Sequence, residues 1–166
     1  YISPELCFTF YVPQGLKKVT VLDGDVFDGA FMNMRTLTEV VFADDADTTY
    51  IGEAAFMGAT ALEGFTVPAG VSIVGDYAFC FSGVRTVDMS AADEITVLPE
   101  YIFGENTRLA TISLPENLVT IEGYAFYMAS ALKNIVIPDS VTTIGEYAFY
   151  ACTSLESVSL PANLKT

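Results

Sequence analysis

The chain has no histidine and no tryptophan, only 7 basic residues and only 3 cysteines. Without histidine there can be no Ser-His-Asp or Cys-His nucleophile system, no HExxH zinc site and no imidazole general base. Seven Lys and Arg against 21 Asp and Glu leave a formal charge of −14. That balance opposes binding to nucleic acid and to anionic membrane surfaces. No apolar run approaches the roughly 18 residues of a membrane span, and membrane insertion is not expected. The sequence begins at Tyr1 with no Met, basic leader or apolar h-region, so any secretion signal is expected to have been removed or left out. Phosphate-binding glycine patterns and Gly-x-Ser-x-Gly are missing as well. What is present is 52% hydrophobic residues in 166. One domain with a sizeable core is the default at this length, in a fold that internalises many side chains.

The organisation is an internal repeat. Ala-Phe recurs as Ala30-Phe31, Ala55-Phe56, Ala78-Phe79, Ala125-Phe126 and Ala148-Phe149, with Ile102-Phe103 as the variant. The six Phe positions step by 25, 23, 24, 23 and 23 residues. Five residues before each stands an aliphatic: Val26, Ile51, Val74, Leu98, Ile121 and Ile144. The unit reads L-x-x-φ-x-φ-P-x-x-φ-x-x-I-G-E-Y-A-F, with φ apolar. The alternating φ-x-φ predicts a short strand with one apolar face. Pro68, Pro115, Pro138 and Pro161 end its ladder pairing, because proline has no N–H. Gly-Glu-Tyr-Ala-Phe predicts a tight turn or a single helical turn. A unit this short cannot bury its own apolar face, so the copies must stack. Longer loops at Ala43–Tyr50 and Ser90–Val97 keep the apolar frame.

At the N-terminal end Phe10-Tyr11-Val12-Pro13 reads as a strand with its proline, and Leu16-x-x-Val19-x-Val21 as a second. Residues 1–18 therefore read as a cap or a shortened coil of a single domain spanning 1–166. The chain stops at Leu164-Lys165-Thr166, in mid-repeat, as expected for a piece of a longer repeat protein.

Leu155-Glu156-Ser157-Val158-Ser159-Leu160-Pro161, joined to Val141-Thr142-Thr143-Ile144-Gly145-Glu146-Tyr147-Ala148-Phe149, resembles the BspA-like leucine-rich repeats of bacterial surface proteins. The resemblance covers about residues 16 to 166. It implies a β-rich leucine-rich-repeat solenoid of the right-handed β-α superhelix class, with little regular helix. Six to seven coils of about 23 residues are expected. It also implies an extracellular or cell-surface location, adhesion to host proteins or other cells, and no catalytic residues. Ile102 for Ala, and Phe27, Pro99 and Glu122 at the Gly position, depart from the pattern.

Leucine-rich repeats most often bind partners on the concave strand face. Its outward positions here include Glu39, Val41, Glu63, Thr66, Arg85, Asp88, Thr111, Ser113, Lys133, Val136, Glu156 and Ser159. Interfaces are usually anchored by Tyr, Trp or Arg, and only Arg85 meets that description. The competing surface is an aromatic stripe, Tyr77, Tyr101, Tyr124 and Tyr147, two residues before successive repeat Phe residues. Packing alone explains such a ladder, since stacked rings stabilise by about 0.5–1.5 kcal/mol per pair. A glycan or protein partner is the functional alternative, and exposure of the rings separates the two.

Asp28, Glu53, Asp76, Glu100 and Glu146 share one position, with Glu122 one residue earlier in its coil. An acid there is expected to accept N–H bonds at the start of the turn. Calcium would need clustered oxygens, which Asp23-Gly24-Asp25 with Asp28, or Asp44-Asp45 with Asp47, would have to supply. Neither has a recognised calcium spacing. Cys152 takes a small interior position equivalent to Ala59, Ser82 and Ala129. Cys80 and Cys152 lie three coils apart, roughly 14 Å, beyond the roughly 7 Å reach of a disulfide. No cofactor is expected. Catalysis by paired carboxylates needs two unlike environments, whereas these acids recur alike. The expectation is a non-enzymatic module that binds a protein or glycan on a host or neighbouring cell. A passive spacer within a larger surface protein is the alternative.

Overall fold

A computed structural model describes residue 13 and residues 15–165. Cys7 and residues 10–12 of the strand expected at Phe10–Pro13 lie outside the described residues. Two sets of short strands alternate along the chain. The longer set comprises β1 (Lys18–Val21), β2 (Glu39–Phe42), β4 (Gly64–Thr66), β6 (Thr86–Asp88), β8 (Thr111–Ser113), β10 (Asn134–Val136) and β12 (Ser157–Ser159). Between them lie two-residue strands: β3 (Tyr50–Ile51), β5 (Ile73–Val74), β7 (Val97–Leu98), β9 (Thr120–Ile121) and β11 (Thr143–Ile144). Every pairing is parallel, joining equivalent residues of successive coils, as Val87 with Ile112 and Leu98 with Ile121.

The φ-x-φ expectation is met at its central residues. Phe65, Val87 and Ile135 are buried while their strand neighbours are exposed. The prolines do more than end the ladder. The carbonyls of Pro68, Pro115, Pro138 and Pro161 each accept the N–H three residues on, closing a turn. Leu16-x-x-Val19-x-Val21 forms β1, paired to β2.

The Tyr-Ala-Phe segment is not helical, and no α-helix occurs among the described residues. It is a run of overlapping turns whose N–H groups alternate in direction. Those of Ala55, Met57 and Ala59 close turns within their own coil, on the carbonyls of Gly52, Ala54 and Phe56. Those of Ala54, Phe56 and Gly58 reach Asp76, Ala78 and Cys80 of the next coil. The backbone is left-handed at two positions per coil, as at Ala54 (φ 52°) and Gly58 (φ 70°). That alternation prevents a helix from propagating and turns the segment into a third inter-coil ladder, so its backbone donors are satisfied.

The core lies between these three ladders. Phe31, Phe56, Phe79, Phe103, Phe126 and Phe149 form one column of stacked rings, with centroids 5.2–5.6 Å apart. Phe65 packs edge-on between Phe56 and Phe79, at 5.0 and 4.7 Å. The small interior position holds a polar pair in mid-stack, Ser82 and Asn106, both buried. With the amide turned to suit its neighbours, Asn106 donates to the carbonyls of Ser82 (3.1 Å) and Val84 (3.2 Å) and accepts from the Ser82 hydroxyl (2.9 Å). Cys152, at the equivalent position, donates its thiol to the Phe126 carbonyl at 3.1 Å. Cys80 and Cys152 are free thiols. Burial, and next the charge of Glu105, pushes the Cys80 thiol up to about 11.

Candidate functional site

The outward side chains of the longer strands form one face, and all twelve strand-face positions singled out from the sequence lie there, exposed. Arg85 is not a free anchor. Glu63 holds it at 3.9 Å and also takes Arg108 at 3.4 Å, while Arg108 donates to the Thr60 carbonyl at 3.2 Å. Lys18 and Glu39 pair at 2.9 Å. Val136 is 77% exposed.

Five of the twelve positions surround one depression of about 700 Å³: Glu39, Val41, Thr66, Asp88 and Ser113. The others, Glu63, Arg85, Thr111, Lys133, Val136, Glu156 and Ser159, lie on the same face outside it. Three causes open the depression. β2 and β4 are not paired, so the sheet is interrupted there. Gly64 puts no side chain on the floor. The long loop after β2 supplies Ala43, Asp44 and Ala46 to one wall, with Pro68–Gly70 after β4 also lining it.

That loop is pinned from behind. One Asp25 carboxylate oxygen accepts from the N–H groups of Thr49 and Tyr50, both at 2.9 Å, and from the Thr49 hydroxyl at 3.1 Å. Asp47 accepts from Gly24 N–H at 3.0 Å, and the buried Thr48 hydroxyl donates to the Gly24 carbonyl at 2.7 Å. The sequence marks this loop as an insertion and offers Asp25, Asp44 and Asp47 only as calcium ligands, because an insertion carries no motif that places it beside the strand face. Its only signal was the change in repeat length. At the floor, Asp88 accepts from the Ser90 hydroxyl at 2.7 Å and the Ser90 N–H at 3.0 Å. These bonds hold its carboxyl below the usual range.

The tyrosines form a second site candidate. Tyr77, Tyr101, Tyr124 and Tyr147 stack nearly parallel, at 5.2, 4.6 and 5.3 Å. Tyr127 and Tyr150 stack beside them at 5.4 Å. The first three are half-buried and Tyr147 is 54% exposed. Ring faces are occupied by one another, so edges and hydroxyls face solvent. That arrangement disfavours a sugar stacked on ring faces within the column.

The acid position behaves differently from the sequence expectation. Asp28 and Asp76 accept a backbone N–H from the following coil, Glu53 at 2.9 Å and Glu100 at 3.1 Å, not from their own turn. Asp28 also accepts the Tyr50 hydroxyl at 2.6 Å. The carboxylates of Glu53, Glu100, Glu122 and Glu146 make no hydrogen bond or ion pair with the described residues. The shorter Asp side chain spans one coil step to the N–H; Glu53, Glu122 and Glu146 are exposed and Glu100 is half-buried.

Chemically, the strand face offers carboxylates, hydroxyls and alkyl groups suited to recognition. Among the described residues no three His, Cys, Asp or Glu side chains converge to hold a metal ion. Asp25, Asp28 and Asp47 are engaged with N–H and O–H donors. No helix of the described residues is long and apolar enough to cross a membrane.

No curated protein matches the chain. Solved structures do. A leucine-rich cell-surface protein from Faecalibacterium prausnitzii A2-165 is 26% identical over 87% of this chain and 47% of its own, with a TM-score of 0.58. A leucine-rich repeat protein of T. pallidum is 26% identical over 90% and 60%, with a TM-score of 0.54. A leucine-rich repeat protein from Eubacterium ventriosum ATCC 27560, 21% identical over 86% and 45%, shares the fold, with a TM-score of 0.58. The chain thus spans less than two thirds of the length of each. The family described as BspA type leucine rich repeat region matches in 6 copies, over residues 25–156 and 120–166. Those copies coincide with the stacked coils, and the chain belongs to the BspA-type leucine-rich-repeat family.

Proposed function

We propose that this chain is the binding module of a secreted or surface-attached bacterial protein, and that it mediates adhesion to a protein or glycan on a host or neighbouring cell. The observation that carries the reading is the depression among Glu39, Val41, Thr66, Asp88 and Ser113, walled by a loop held in place by Asp25 and Asp47. A preorganised wall beside an open floor lowers the ordering cost of binding. The family membership and the cell-surface description of the Faecalibacterium protein support the location. Capture on an array of glycans and host proteins tests it. A captured partner should lose about tenfold or more in affinity to V41R or T66R, which fill the depression. Unchanged affinity in both variants moves the site elsewhere.

A passive spacer is the second reading. It is favoured by the unbroken phenylalanine column and by Arg85, the expected anchor, being held by Glu63. Absence of any captured partner, with adhesion residing in another part of the full-length protein, would favour it.

A further inference from the structure

The face built by the short strands has no covering layer among the described residues, and it differs from the longer-strand face in composition. Its outward positions are Tyr50 and Ile73 on one pair of strands and Val97, Thr120 and Thr143 on the next three, each group brought into line by its own parallel register. Ile73 is 57% and Val97 41% exposed. Beside this row run the tyrosine column and the acid column. Thr120, Thr143, Tyr124, Glu100, Glu122 and Glu146 line one shallow depression of about 510 Å³, which shows that the three features share one surface.

Its charge is uncompensated. All three ion pairs among the described residues belong to Glu39 and Glu63, by the longer strands. The glutamates beside the tyrosines have none. Glu53, Glu100, Glu122 and Glu146 extend over roughly 19 Å at about 4.8 Å per coil. An extended polypeptide covers that distance in about six residues. Lying between the strand residues and the acids, it would place its apolar set toward Ile73 and Val97 and its cationic set toward the carboxylates and the tyrosine edges beside them.

We propose that this tyrosine–glutamate face is a docking surface for an extended basic segment of another protein, with Arg or Lys alternating with apolar residues. Guanidinium groups suit both partners, pairing with carboxylates and lying against the exposed ring of Tyr147. The surface is separate from the depression on the longer-strand face and does not depend on its role.

The probe is a synthetic peptide of about eight residues alternating Arg and Val, with a Ser-Val peptide of equal length as its neutral counterpart. Because the chain has no tryptophan, its tyrosine emission reports contact directly. The Arg-Val peptide should bind, change that emission and weaken about tenfold in the triple variant E100Q/E122Q/E146Q. The charge-matched triple variant E39Q/D44N/D88N on the other face should stay within about twofold. Y147A, at the exposed end of the column, should weaken binding severalfold, and the neutral peptide should not bind. Equal weakening in both triple variants would reduce the effect to bulk charge and overturn the proposal. So would absence of binding at low salt, or tight capture of the Ser-Val peptide. Should E100Q/E122Q/E146Q lose its native circular dichroism, the single variant E122K, at an exposed and unpaired position, carries the same test.

Discussion

Ala151 has φ 57°, a backbone that costs an L-residue roughly 1–2 kcal/mol relative to glycine. Its coil equivalents include Gly58, Phe81, Glu105 and Met128, so the turn geometry is imposed by stacking on neighbours rather than chosen by residue type. A151G should therefore stabilise the protein by about 0.5–1 kcal/mol, net of the entropy that glycine adds to the unfolded chain. Thermal melting checks this. The reverse holds at Gly75, where an added methyl would meet the Gly52–Glu53 backbone of the previous coil. G75A should destabilise by about 1–3 kcal/mol. G123A should cost far less, since its methyl would meet only the Glu146 carbonyl, at 3.4 Å. The sequence displayed Gly52, Gly75 and Gly145 as a motif but not that the motif is a contact between coils.

The tyrosines give a pH prediction at the same scale. The Tyr50 phenol is raised above 10.0 by its hydrogen bond to Asp28 and by desolvation. Tyr77 is raised by desolvation and by Glu100 and Asp76; Tyr101 and Tyr124 by desolvation and by neighbouring phenols and acids. Folding thus favours the neutral phenol. That stability is fully present below the unfolded value near 10.0 and is lost as pH rises through the folded values. Phenolate absorbance should show these tyrosines ionising later in the native protein than in denaturant, with loss of native circular dichroism at the alkaline end. Simultaneous titration in both states would contradict it.

Among elements, the phenylalanine column and the Ser82–Asn106 pair join coil to coil through the core. Phe103 is fully buried between Phe79 at 5.6 Å and Phe126 at 5.5 Å. F103A should cost about 3–5 kcal/mol, since the rigid rings on either side cannot close the gap. N106A should cost about 1–3 kcal/mol by leaving the Ser82 and Val84 carbonyls unpaired in the core. Denaturant unfolding measures both. The column was legible in the spacing of Ala-Phe. The polar pair was not, because Asn106 stands where other coils carry Ala59, Ala129 and Cys152, and nothing in one coil reveals a partner in the next. For the same reason the sequence left a tight turn and a single helical turn both open after Gly-Glu. Only the alternating bonds to the next coil make three tight turns preferable.

Across the whole molecule, a charge of −14 is arranged in coils about 4.8 Å apart. Like charges at that spacing lie within the ~10 Å screening length of 0.1 M salt, so added salt relieves repulsion. The melting temperature should rise between low ionic strength and about 0.1 M sodium chloride. A falling melting temperature would show instead that the three ion pairs outweigh the unpaired glutamates. At this scale, too, the two candidate faces separate: one ion-paired and walled by a loop, the other aromatic, acidic and unpaired.

The repeat, its length, its apolar columns and the family follow from residue order, because a periodic chain must present the same face in every coil. Which acids are structural follows only from the folded stack. Asp28 and Asp76 reach the next coil's backbone, while the carboxylates of Glu53, Glu100, Glu122 and Glu146 find no partner among the described residues. It also decided that the loop after β2 walls a depression on the longer-strand face. Both outcomes depend on distances between coils, and a sequence records the order of its residues but not how far apart stacking sets them.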